Sequence, residues 1–240
     1  MIAADSYTDT FSQAIFAATR LINGQYPRPW MTDLINPLDA EVFIVGRNPA
    51  RTYDATMLTH ERYLDALFNR NGQSCRALYD ELVEPSATRR NIDMLHRLLT
   101  EAGVDRVLET NVICYSSPMS ADLGSIEHTG GRATGKTVFR LLLDYVRPRV
   151  LIAHGAATAY DLADVVGSPL PLPATEGCAP TRIDVDGMTI ILLPSLAPPA
   201  WNRWQRWARE HLEAVAALAA CSLESRSEEW PGLSRSKKCD

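Results

Sequence analysis

Residues 41–46, EVFIVG, followed at once by RNPA at 47–50, are the stretch on which the fold turns. The run is apolar, rich in β-branched and aromatic residues, and breaks off into a polar loop containing proline. It lacks the polar alternation of a half-exposed strand, so it reads as a strand covered on both faces. Such strands belong to parallel sheets, whose connections are crossover helices. The same type recurs at 106–114, RVLETNVIC, and at 149–154, RVLIAH. TRIDVDGMTIILLP, 181–194, reads as a hairpin turned at Asp186-Gly187, with a buried second arm.

Helical patterns fill the intervals. YTDTFSQAIFAATRLI, 7–22, stops at Asn23-Gly24. GQYPRPW follows as a proline-punctuated loop. Residues 57–83 hold one or two helices, interrupted between Asn69 and Gly72. TRRNIDMLHRLLTEA, 88–102, has Thr88 as its N-cap candidate and Gly103 just beyond its end. KTVFRLLLDYV, 136–146, a segment from Gly155 to about Val165, and WNRWQRWAREHLEAVAALAAC complete the series. This alternation predicts an α/β fold of three α/β/α layers around a mostly parallel sheet. A single domain is expected over residues 1–222, with a polar, disordered tail over 223–240. Ligands of such folds bind beyond the carboxyl ends of the strands. GRNPA, the end of ETNVICYSSP, and LLPSLAPP therefore become the places to search.

Composition narrows the function classes. The chain has 240 residues, 46% hydrophobic and 22% charged, with net charge −5. No apolar run approaches the roughly 18 residues of a membrane span. The acidic N-terminus does not read as a secretory signal. The five cysteines form no C-x-x-C pair, so neither a zinc site nor a disulfide framework is expected. These features suit a cytoplasmic protein, expected to be a monomer, with no metal and no cofactor. Any nucleic-acid contact has to come from a local basic patch.

GGRATGKT, 130–137, fits the phosphate-binding loop pattern G-x-x-x-x-G-K-[ST]. Such a loop springs directly from a buried strand, yet the residues before it, SADLGSIEHT, carry no strand pattern. Nor does the next strand, RVLIAHG, end in an acid for magnesium. The plainer reading is a basic, glycine-containing loop capped by Thr134 before a helix. Arg132 and Lys136 could then contact a phosphate of another ligand, such as a DNA backbone. A nucleotide-binding protein remains the third-ranked reading.

In order and spacing, GRNPA, TNVICYSSP, RVLIAHGAATAYDL and LLPSLAPPAWNR together resemble the uracil-DNA glycosylase superfamily, over about residues 41–206. GRNPA is similar to the first motif of the mismatch-specific and single-strand-selective branches, Gly-x-Asn-Pro-Gly. The resemblance implies a fold of that type and hydrolysis of the N-glycosidic bond of uracil or a related damaged base in DNA. A glycosylase flips its nucleotide and reads the base edge. The resemblance assigns the reading to Asn111, whose side-chain amide presents donor and acceptor side by side. It places Gly46 and Arg47 against the base and makes Phe68 the stacking candidate. Asn48 would hold the attacking water, with Asp54 a possible base. Ser195 and Leu196 fall where the family pinches the backbone and fills the vacated stack, and Arg203 follows as a further DNA contact. Each residue also has a plainer reading: Asn111 bonding a loop backbone, Phe68 in the core, Asn48 starting a turn, Asp54 an ordinary loop acid.

Two departures matter. Several branches carry His-Pro-Ser in the last motif, the His donating to the departing oxyanion; here that position is Leu193. The cysteines that hold an iron–sulfur cluster in the thermostable branches are absent, Tyr115 standing in one slot. Weak or altered activity is implied. The alternative is an inactive or repurposed member that binds nucleic acid or a nucleotide.

Overall fold

Seven strands and seven helices are found in the computed structural model, which describes residues 2–175 and 179–227. β1 (Gln25–Tyr26) and β3 (Tyr53–Asp54) form a small antiparallel ribbon. The central sheet has the order β4-β2-β5-β7-β6. β2 (Val42–Gly46), β4 (Val107–Asn111), β5 (Val150–His154) and β7 (Met188–Leu193) are parallel. β6 (Thr181–Val185) closes one edge antiparallel to β7. The helices are α1 (Ile2–Ala18), α2 (His60–Leu67), α3 (Cys75–Leu82), α4 (Ala87–Glu101), α5 (Gly131–Val146), α6 (Ala156–Val166) and α7 (Ala200–Ser227).

The unbroken apolar run of β2 has the expected cause. Phe43 and Val45 face a core shared with Leu108, Leu151 and Phe139 of α5. Val42 and Ile44 face a second core shared with Val107, Ile152, Leu99 of α4 and Leu212 of α7. Both faces of the strand are therefore covered, which gives the three-layer α/β/α fold. The hairpin turns at Asp186 (φ 46°) and Gly187 (φ 78°), two left-handed residues that match strand twist. No helix among the described residues is long and apolar enough to cross a membrane.

Several boundaries differ from the sequence reading, each for a local reason. α1 ends at Ala18; Asn23 and Gly24 instead turn the chain between Ile22 and Gln25, which exchange both backbone hydrogen bonds. α4 is capped by Ser86, whose hydroxyl accepts from the Arg89 amide, so Thr88 lies inside the helix. β4 ends at Asn111, and 112–114 leave the sheet to lie against α5. α7 continues to Ser227, past the expected boundary at 222; the rest of the expected tail lies outside the described residues.

The largest correction concerns GGRATGKT. Helix α5 begins at Gly131, so the motif is helical rather than a loop, and Thr134 lies within the first turns instead of capping them. Short 3-10 turns precede it, not a strand. Its glycines have another use. A Cβ on Gly131 would lie 2.4 Å from the Tyr115 ring, and one on Gly135 2.9 Å from the Cys114 amide nitrogen. The two glycines, one turn apart, make a bare stripe on which the 113–115 segment rests, and the Cys114 amide donates to the Gly135 carbonyl at 3.2 Å. Gly130, the first glycine of the pattern, caps α5 in the left-handed region at φ 78°, so a helix cap and a close approach at Gly135 together imitate a phosphate loop.

Candidate functional site

The register of the sheet lines up the strand ends. Gly46 pairs with Asn111, and His154 with Leu193. By the two-residue period, all four point to the layer of α4 and α7, as Ile44 and Ile152 do. Beyond these ends opens a cavity of about 620 Å³. Among its lining residues are Gly46, Arg47, Asn48, Asn111, His154 and Ser195.

Gly46 makes the floor possible. A Cβ there would lie 2.6 Å from Asn111 Oδ1 and 3.1 Å from His154 Nε2, so only glycine lets both side chains converge over this strand end. The Asn111 amide is half-buried and makes no side-chain hydrogen bond among the described residues. It is open to the cavity.

Asn48 is held in one orientation. Its Nδ2 donates to Ser117 Oγ at 2.9 Å and to the Pro49 carbonyl at 3.2 Å. The Ser120 hydroxyl donates to its Oδ1 at 2.6 Å. With both amide hydrogens engaged on one side, Oδ1 keeps a lone pair for a water or ligand donor.

The charge of the cavity opposes that of the chain. Arg28, Arg47, Arg51 and Arg89 line it, against Glu109 alone. Arg89 is buried and binds both Glu109 oxygens, at 2.6 Å for Oε1, and Asp93 at 3.0 Å. Arg28 sits 5.0 Å from the Tyr79 ring centre and 5.1 Å from that of Tyr53, a cation held on aromatic faces. Arg47 binds Asp161 at 2.8 Å. Arg132 (2.5 Å) and Lys136 (3.0 Å) bind the same carboxylate, which is fully buried. Burial pushes the Asp161 carboxyl up, but bonds from Arg47, Lys136 and Arg132 outweigh it and hold it below the usual range. Three cations on one carboxylate leave this rim net positive. Lys136, tied to Asp161 and Asp164, is committed to ion pairs rather than free to reach a nucleotide.

The expected site residues divide. Gly46, Arg47, Asn48, Asn111 and Ser195 come together in the cavity. Arg132 and Lys136 join it through Asp161. Arg203 is exposed in the first turns of α7 and outside the lining. Three assignments are corrected. Phe68 caps α2 and packs edge-on against Phe11 (5.9 Å) and Trp30 (5.7 Å), so it belongs to the core. Trp30 and Tyr79 are the aromatic residues that do line the cavity. Asp54 folds back on its own turn, accepting from the Thr56 hydroxyl and amide and from the Met57 amide, and is also outside the lining. These bonds hold its carboxyl below the ordinary value, the wrong direction for a base. Leu196 is fully buried in the α4–α7 core, where its carbonyl accepts from Asn91 Nδ2 at 2.7 Å; it does not project as a wedge. The exposed apolar side chain at the cavity rim is Met119, between Pro118 and Ser120.

His154 escaped the sequence reading. It ended a buried strand before a glycine, and nothing in that pattern separates a core histidine from a site histidine. Burial and the nearby Arg89 depress its pKa to about 4, so the ring is neutral at neutral pH. Cys75 and Cys114 are pushed up to about 12 by burial, which keeps these two thiols protonated and rules them out as thiolate nucleophiles. Compared with models of known protein families and with curated proteins, the chain matches none.

Proposed function

We propose that this chain is a divergent member of the uracil-DNA glycosylase superfamily that hydrolyses the N-glycosidic bond of uracil or a related lactam-bearing base in DNA. One observation carries the reading. Two side-chain amides face one cavity at the carboxyl ends of the parallel strands: Asn111 open and convergent on Gly46, Asn48 locked with its oxygen as acceptor. The first suits the donor–acceptor edge of a flipped base. The second suits a water held for attack on the sugar.

In this mechanism the extruded base enters against Asn111, with Trp30 or Tyr79 as its apolar wall. The arginines draw in the phosphates, and an overall acidic protein gains a local positive field. As the bond to the base breaks, the sugar takes on oxocarbenium character, and a water accepted by Asn48 Oδ1 adds to C1′. Asn is a weak proton acceptor, so its contribution is placement rather than proton removal. Leu193 is fully buried and offers no donor to the leaving base, which is consistent with slow turnover. The setting would be base-excision repair in the cytoplasm by a single chain.

Leu193 also favours a second reading, a member that binds nucleic acid without turnover. Oligonucleotides carrying uracil, hypoxanthine or xanthine, single- and double-stranded, separate the two. Free base and an alkali-labile abasic site are expected. Salt-sensitive binding without release would select the second reading.

A further inference from the structure

One side chain on the cavity floor has no role in the free protein. His154 closes β5 and is 9% exposed, with its Nδ1 buried and without a hydrogen-bond partner. Its Nε2 approaches Gly46 beside the Asn111 amide. Its backbone is fixed, since the Thr158 hydroxyl donates to its carbonyl at 2.7 Å. Its Cα partner across the β5–β7 pair is Leu193. The His154 Nε2 likewise makes no hydrogen bond among the described residues and lies beside the cavity, and an unpartnered polar atom there marks a place for a ligand atom.

We propose that His154 is the hydrogen-bond donor to the departing base, its Nε2–H bonding the lactam oxygen next to the N–H that Asn111 Oδ1 accepts. This deepens the glycosylase reading and rests on it. The tautomer follows from the surroundings: a proton on Nδ1 would be a buried donor facing nothing, so it resides on Nε2. The ring is already neutral, so it lends a hydrogen bond and gives up no proton. In the step, the C1′–N bond breaks with its electron pair going to the base, whose charge spreads onto the bonded oxygen. The water held by Asn48 adds through oxygen to C1′. The proton it loses ends on the base nitrogen by way of solvent, and His154 is unchanged. The pair also sets specificity. An acceptor on Asn111 beside a donor on His154 fits an N–H next to a C=O, as in uracil, hypoxanthine or xanthine, and opposes the ring nitrogen and amino group of cytosine. A donor on the strand next to Leu193 replaces one that Leu193 cannot provide.

The test uses the full chain with His154→Leu, which keeps the bulk and loses the donor, and His154→Gln, which keeps a donor. Preorganised donors to a developing oxyanion are worth about 100-fold in kcat. His154→Leu should lose about that factor with little change in KM, and His154→Gln should recover part of it. The loss should shrink on 5-fluorouracil, whose anion leaves more readily. Wild-type kcat in His154→Leu, in a protein whose Asn111→Ala variant is inactive, would overturn the inference and leave the glycosylase reading standing. If wild type releases no base, that reading fails. The decision on His154 then falls to its ring 15N signals during titration with free uracil. A shift at Nε2 supports lactam recognition by His154; no shift at saturating uracil overturns it.

Discussion

Gly46→Ala is the sharpest perturbation available. The new Cβ would stand 2.6 Å from Asn111 Oδ1, whereas ordinary contact begins at 3.4 Å. The flexible amide must therefore retreat by about 0.8 Å, and a hydrogen bond of about 2.9 Å stretched by that much is no longer one. Losing two neutral bonds to the base at about 0.5–1.5 kcal/mol each costs about 1–3 kcal/mol. That is several-fold to about 100-fold in rate. Stability should move little or rise. Gly46 does not have positive φ, and alanine in a strand interior is favoured over glycine by about 0.5–1 kcal/mol. At about 2–4 °C per kcal/mol for a chain of this size, Tm should stay within about 4 °C of wild type. The assay is single-turnover base release alongside a thermal melt. A folded variant with undiminished release would refute the argument that convergence over Gly46 builds the site. A Tm drop of 8 °C or more would mean that the close approach is structural.

Other outcomes follow from the same contacts. Gly135→Ala puts a methyl group 2.9 Å from the Cys114 nitrogen and from Ile113 Cγ2, an overpacking of about 1–3 kcal/mol; chemical denaturation should show it, whereas a true phosphate loop would lose nucleotide affinity instead. Asp161→Ala leaves Arg47, Lys136 and Arg132 without their shared carboxylate, but Arg47 and Arg132 are 27% and 46% exposed and Lys136 keeps Asp164, so the loss of stability in urea should be about 1–3 kcal/mol. Because the folded Asp161 pKa lies below its usual 3.8, its contribution is present above that pH and fades as pH falls through the lower folded value; the variant should lose this acid sensitivity. His154 acts in a higher window. Its folded pKa of about 4 lies below the usual 6.5, so between those values the unfolded chain binds the extra proton and stability falls as pH falls. His154→Gln should lessen the pH dependence of the unfolding midpoint between pH 6.5 and 4, leaving the part that His60, also lowered by burial and Arg20, contributes.

Much of the fold was legible in the sequence. β2 is apolar throughout because both of its faces are covered, and Asp186-Gly187 marks the β6–β7 hairpin through two left-handed residues. The strand ends were legible for the same reason, and they brought Gly46, Asn48, Asn111 and Ser195 into view. What was not legible depends on contacts distant in sequence. Phe68 is drawn into the core by Phe11 and Trp30, which no local pattern foretells. Leu196 is sequestered by α4 and α7, and Asp54 is used up by Thr56 and Met57 in its own turn. Gly130 and Gly135 fit a motif by coincidence of two separate demands, a left-handed helix cap at Gly130 and a bare position under Cys114 at Gly135. His154 carried no signal at all, since a buried strand ending in histidine reads the same with or without a cavity beyond it.

The most direct test of the account is the single-turnover rate of base release from a uracil-containing single strand by wild type, Asn48→Ala and Asn111→Ala. The account predicts measurable release by wild type. It predicts a loss of about 100-fold or more in each variant with the fold intact, since one places the water and the other the base. Release that is equal in all three would contradict it, and place the chemistry elsewhere than at the ends of β2 and β4.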